Sequence, residues 1–154
     1  MAGQKILVPY NFTHYDDKAL DFVINNFSRH SDYEITLFYA YTAAPKVEMQ
    51  NDPIMGKIKD SLSFLNQKIK ESENRLKKVT TKLVENGFKE ENIKTIFKPR
   101  KKHISAEIIE LAHNQRSDII VINQRPGKIK YFYTGSVFNK VVSALKDCVV
   151  CIVS

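Results

Sequence analysis

The chain has 154 residues, 43% of them hydrophobic and 27% charged, which is enough apolar content for one folded core and too much for a disordered chain. Lys and Arg total 24 against 17 Asp and Glu, and the resulting net charge of +7 favours anionic partners such as phosphates, nucleotides or an acidic surface. Two cysteines exclude a disulfide scaffold, and no apolar run approaches the ~20 residues that span a bilayer.

The start of the chain runs directly into Ile6-Leu7-Val8, with no room for a signal peptide. The expectation is a single cytoplasmic domain over residues 1–154, away from membranes. Lys5–Val8 is the first of five predicted strands. A helix is predicted over Asp16–Phe27, where Ala19, Leu20, Val23, Ile24 and Phe27 recur at helical spacing. Glu34–Tyr41 is the second strand, and Thr42–Met55, with Pro45 and Pro53, is a loop.

Beyond that loop, Ile58, Leu62, Leu65, Ile69, Leu76, Val79 and Leu83 repeat at steps of three, four and seven, with charged residues on the other faces. Such a stripe is either a coiled-coil seam or a long amphipathic helix lying on a sheet. The second is expected, because strict heptads persist for only about four repeats. Asn86-Gly87 supplies the stop. Ile93–Lys98 is the third strand. Ser105–His113 is the third helix, with Ile108, Ile109, Leu111 and Ala112 inward and the Ser105 hydroxyl as its cap. Ile119–Ile122 is apolar on both faces, as in a strand covered by helices on both sides. The last helix is predicted from Ser136 to Leu145, carrying Val137, Val141, Val142 and Leu145, and the last strand over Val149–Val153.

Strict alternation of strand and helix predicts an α/β fold with a parallel sheet and right-handed crossovers. Open sheets of this kind bind ligands at the carboxyl ends of their strands, where the strand order reverses. The loops after the first and fourth strands are therefore the segments of interest. The loop from Asn123 to Val137 holds Gly127 and Gly135 and ends with Gly135-Ser136 at a helix start. Free backbone N–H groups and the helix dipole favour an anion there, and every charged residue from Ile119 to Lys146 is basic. The same residues read equally well as a plain helix start beside a solvated lysine face.

Lys5-Ile-Leu-Val-Pro-Tyr-Asn-Phe-Thr13 and Asp17-Lys-Ala-Leu20 resemble the first strand and helix of universal stress proteins, whose usual run is K-I-L-V-P-x-D-x-S followed by an A-L pair. Ser117–Ile122, Gly135-Ser136-Val137 and Cys148–Val153 resemble the second half of that family, in the right order. The resemblance implies an open doubly wound parallel five-stranded sheet of order 3-2-1-4-5, with helices on both faces. It also implies a homodimer joined through the C-terminal strand. Many members bind ATP through G-x2-G-x9-G-[S/T], so ATP or another adenine nucleotide, with no metal required, is the implied small anionic ligand. By position, Pro9, Tyr10 and Asn11 would line the adenosine side and Ala40 would sit under the base. Asn123, Arg125, Gly127, Gly135, Ser136 and Val137 would surround the phosphates.

Three departures bear on that implication. Asn123 stands where the first glycine is expected, seven residues rather than nine separate Gly127 from Gly135, and Asn11 replaces the usual aspartate. A Cβ at the first position obstructs close approach of backbone to phosphate. Arg125, Lys128 and Lys130 supply compensating charge. Two readings follow: a stress-response regulatory module that binds an adenine nucleotide weakly, and a dimeric interaction protein of the same fold whose nucleotide site has decayed. No enzyme is expected, because Asn11–Tyr15 carries neither H-x-G-H nor S-G-G-x-D-S and the chain lacks G-x-S-x-G and the P-loop.

Other constellations give less. Cys148 and Cys151 lie three apart at a strand, which puts them on opposite faces roughly 10 Å apart, beyond disulfide reach; they read as structural. His14, His30, His103 and His113 show no metal-ligand spacing. Asp16-Asp17 suggests a phospho-acceptor cluster, but the third strand ends in Lys98 and supplies no partner aspartate. Lys98–His103 is basic, yet it is mostly Lys, which lacks the bidentate fork used in base reading. It reads as a solvated face, with no specific nucleic-acid partner expected.

Overall fold

The computed structural model describes residues 3–10, 14–30, 32–43, 54–123 and 137–154. The elements are β1 (Lys5–Pro9), α1 (His14–Phe27), β2 (Glu34–Tyr41), α2 (Ile54–Glu85), β3 (Ile93–Pro99), α3 (Ile104–Gln115), β4 (Ile119–Asn123), α4 (Val137–Ala144) and β5 (Val149–Val153). A short 3-10 turn over Glu90–Asn92 leads into β3. All strand pairs are parallel, and the sheet order is β3-β2-β1-β4-β5, as the resemblance implies.

Strand alternation divides the core in two. Ile6 and Val8 of β1, with Ile35 and Leu37 of β2 and Val121 of β4, meet Ala19, Leu20 and Val23 of α1 and Leu76, Val79 and Leu83 of α2. On the other face, Leu7, Phe38, Ile120 and Ile122 meet Ile108 and Ala112 of α3, Val141 of α4 and Leu145 just past its end. Both faces of the central strands are therefore covered, which is why Ile119–Ile122 carries no polar alternation. The sheet's two edges are β3 and β5.

Three sequence expectations need correction. The stripe of α2 does not lie on the sheet throughout: Leu76, Val79 and Leu83 are buried in the core, whereas Ile58, Leu62, Leu65 and Ile69 belong to neither apolar cluster. A helix of 32 residues runs ~48 Å, about twice the length of the seven-residue β3 beside it, so its first half overhangs the sheet.

The third helix starts at Ile104, one residue earlier than expected, with His103 at the N-cap position and no side-chain cap. Ser105 lies buried within the first turn. Glu107, in the same turn, instead holds the segment that precedes the helix: its Oε1 accepts from the backbone N–H of Lys101 (2.8 Å) and Lys102 (3.1 Å). Finally, Pro99–His103 is exposed as expected, but Lys98 at its start is paired as well as partly exposed: its Nζ lies 2.9 Å from Glu107 Oε2 and 5.7 Å from the centre of the Phe38 ring.

The expected stop at Asn86-Gly87 is a Schellman motif. Gly87 has φ +106 and donates to Val84 O (3.1 Å), Phe88 donates to Leu83 O (3.1 Å), and Phe88 and Leu83 are both buried in one cluster. The two cysteines are free, and they contact opposite cores, Cys148 the α3–α4 side and Cys151 the α1–α2 side. Burial pushes both thiols up, which suits the structural reading.

Candidate functional site

The strand order reverses between β1 and β4, because β1 leads to β2 on one side and pairs with β4 on the other. A crevice is expected at the carboxyl ends of those two strands. Pro9 closes β1, half-buried and in register with Phe38. Tyr10 then donates its backbone N–H to Phe38 O (2.8 Å), which carries the end of β1 along β2.

The Tyr10 ring is buried in the α1–α2 core. Its phenol donates to the Asp17 carboxylate, and its pKa is pushed up to about 12, first by burial and then by the charges of Asp16 and Asp17, with Arg75 opposing. The hydroxyl is therefore protonated throughout the physiological range.

Asp16 lies in the first turn of α1 and is 1% exposed. A buried carboxylate needs partners, and Asn123 provides one: its Nδ2 donates to Asp16 Oδ1. Asn123 closes β4 in register with Val153 of β5. Its side chain is thus held toward α1, tying the end of β4 to the helix that follows β1. The position of Asp16 also suits the positive N-terminal end of α1. Two acids in the first turn of a helix were visible in the sequence; the partner 107 residues away was not.

Ala40 is half-buried in β2, against the α3–α4 core and in register with Lys98. Next to it the β3–α3 segment is fixed by Glu107, which is 2% exposed. The Lys98 ammonium and the two backbone N–H groups hold its carboxyl down to about 2, against the opposing cost of burial. Lys102 is paired with Glu110 on the surface (2.6 Å), and Arg100 donates its backbone N–H to Tyr41 O (2.7 Å). Arg100, Lys101 and His103 remain exposed at this end of the sheet.

The described residues therefore bring together Pro9, Tyr10 and Asn123 at the ends of β1 and β4, with Ala40 one strand away. Asn11, Arg125, Gly127, Gly135 and Ser136 lie outside the described residues, as does the side chain of Val137, the first residue of α4. No group of three His, Cys, Asp or Glu that could hold a metal stands together among the described residues.

The sequence matches the Universal stress protein family over residues 3–152. No curated protein matches it. Among solved structures, universal stress protein UspA from Lactobacillus plantarum is similar over 100% of this chain and 99% of its own, with 17% identity and a TM-score of 0.69. The universal stress protein from Archaeoglobus fulgidus in complex with dAMP covers 100% of each chain at 15% identity and a TM-score of 0.62. A universal stress protein family member from Arabidopsis thaliana with AMP bound covers 97% of this chain and 90% of its own, at 17% identity and a TM-score of 0.60. The parallel sheet of order 3-2-1-4-5, the reversal at β1 and β4, and a family match over nearly the whole length make this chain a member of the universal stress protein family.

Proposed function

We propose that this protein is a stress-response regulatory module that holds an adenine nucleotide weakly between the loops after β1 and β4 and does not turn it over. It works in the cytoplasm as a homodimer joined through β5. The observation that carries the nucleotide reading is the strand-order reversal at β1 and β4, flanked by a stretch from Ile119 to Lys146 whose charged residues are all basic. Relatives of the same fold that hold dAMP and AMP support it.

Asn123 bears on the strength of binding. Its amide is engaged with Asp16 and so is directed to α1, while its Cβ, fixed by the backbone, stays where the family has a glycine and obstructs close approach to phosphate. The buried Asp16 charge works in the same direction, against polyphosphates nearby. Weak binding follows, micromolar or poorer, equivalent to roughly 8 kcal/mol or less. The dimer reading is supported by the exposed edge of β5, where Val149 is 60% and Ile152 40% exposed at the open side of the sheet.

A thermal-shift scan with ATP, ADP and AMP at millimolar concentration tests the ligand, and chromatography of the incubated nucleotides tests turnover. A saturable shift without product supports the proposal. No shift with any of the three favours the second reading, an interaction protein whose site has decayed, for which the substitution of Asn123 for glycine is the supporting observation.

A further inference from the structure

We propose that the overhanging first half of α2 pairs with the same segment of a second copy of this chain, as an antiparallel two-helix coil. Ile58, Leu62, Leu65 and Ile69 continue, in heptad register, the stripe that Leu76, Val79 and Leu83 bury against the sheet. Past the end of the sheet the stripe keeps the same chemistry: Leu65 is 42% exposed, Ile58, Leu62 and Ile69 are half-buried, and neither apolar cluster of the described residues includes any of the four. Ridge residues of this spacing are what a second helix needs.

Sterics choose the direction. The face that Leu62 and Leu65 present is the face that, about three to four turns further on at Leu76, lies on the chain's own sheet. A parallel partner would continue along that face and run into the sheet. An antiparallel partner leaves in the opposite direction, past the start of α2. Matching the two overhangs places Leu62 against Leu65 of the second copy and Ile58 against its Ile69.

Charge agrees with this alignment. Lys59 then flanks Asn66, and Lys68 flanks Ser61, so no like charges face one another along the seam. The basic turn of Lys57 and Lys59 runs beside the acidic turn of Glu71 and Glu73 in the second copy. A parallel pair would gain a Lys68–Glu73 contact but would set the basic turn against itself. One pair of short helices buries less than the ~1,200–2,000 Å² of a standard interface, so association is weak and concentration-dependent. This surface lies at the β3 side of the sheet, opposite the β5 edge, so it acts independently of any dimer formed there.

The test combines mass with geometry. Sedimentation equilibrium from micromolar to millimolar protein should show Leu65→Lys lowering the assembly state relative to the wild type, whether the wild type starts as a dimer or as a larger species. Leu65 lies in neither core, so the variant's far-UV spectrum and melting curve should match the wild type. Second, Leu62→Cys and Leu65→Cys are made separately in a Cys148→Ala/Cys151→Ala chain. Mixed, they should form a disulfide-linked dimer in several-fold higher yield than either alone. Equal assembly of the wild type and a folded Leu65→Lys would overturn the proposal. So would Leu62→Cys cross-linking to itself as fully as the mixture, which indicates a parallel pair.

Discussion

Glu107 shows how one buried carboxylate fixes a loop that the sequence presents as a plain run of cations. Its two oxygens take Lys98, Lys101 and Lys102, and these contacts explain a pKa near 2. A carboxyl depressed in the folded state contributes stability above its ordinary value, and that contribution is lost as pH falls from about 4.5 toward 2. Glu107→Gln should therefore destabilise the protein by roughly 2 kcal/mol at pH 7, discounting the Lys98 end of the pair, which is partly exposed. Urea titrations should show the gap between wild type and variant closing through that acid window. Asn123 is the other residue whose role lies in a distant partner. Asn123→Gly restores the family's glycine but removes a donor from buried Asp16, and should cost about 1–3 kcal/mol. Asp16→Asn should cost less in the Asn123→Gly background than in the wild type, and a double-mutant cycle by chemical denaturation measures the coupling. Neither partnership was legible in the sequence. Lys98–His103 and Asp16-Asp17 were both visible as charge clusters, but what satisfies them comes from α3 and β4.

Among the elements, those fixed by periodicity and local stop signals were the readable ones. The five strands lie within one residue of their expected bounds, because the apolar runs are short and the turns between them are polar. The end of α2 was equally plain, since Gly87 takes a positive φ that Gly alone adopts without a Cβ penalty. How far α2 lies on the sheet was not readable, because the apolar stripe is continuous while its support ends at the edge of β3. The end of α3 depends on Arg116, at φ 53 in the left-handed region, with its N–H donating to Ala112 O and His113 O. An arginine there carries a Cβ penalty that glycine lacks. Arg116→Gly should raise stability by roughly 0.5–1 kcal/mol, read as a higher midpoint of thermal or urea unfolding. An unchanged or lower midpoint would show that the arginine side chain contributes more than its backbone costs.

At the scale of the whole molecule, the surfaces proposed for function lie on different elements: the carboxyl ends of β1 and β4, the β5 edge, and the first half of α2. Ile152→Lys places a charge on the exposed β5 edge and should shift a dimer toward monomer in light scattering, with the melting temperature nearly unchanged. A wild type that is monomeric at high concentration would remove the β5 dimer. The family and fold were legible because they rest on a pattern spread along the whole chain. The candidate site was legible only as positions, since its glycine spacing departs from the family's and its support comes from Asp16. The most direct measurement is isothermal titration calorimetry of AMP and ATP into the wild type and into Gly135→Asp, which puts a carboxylate two residues ahead of α4 in the sequence, where the family resemblance implies the phosphates. The account predicts saturable, micromolar or weaker binding to the wild type, with the signal lost in a variant that melts like the wild type. No heat at millimolar nucleotide, or equal binding by both proteins, would contradict it.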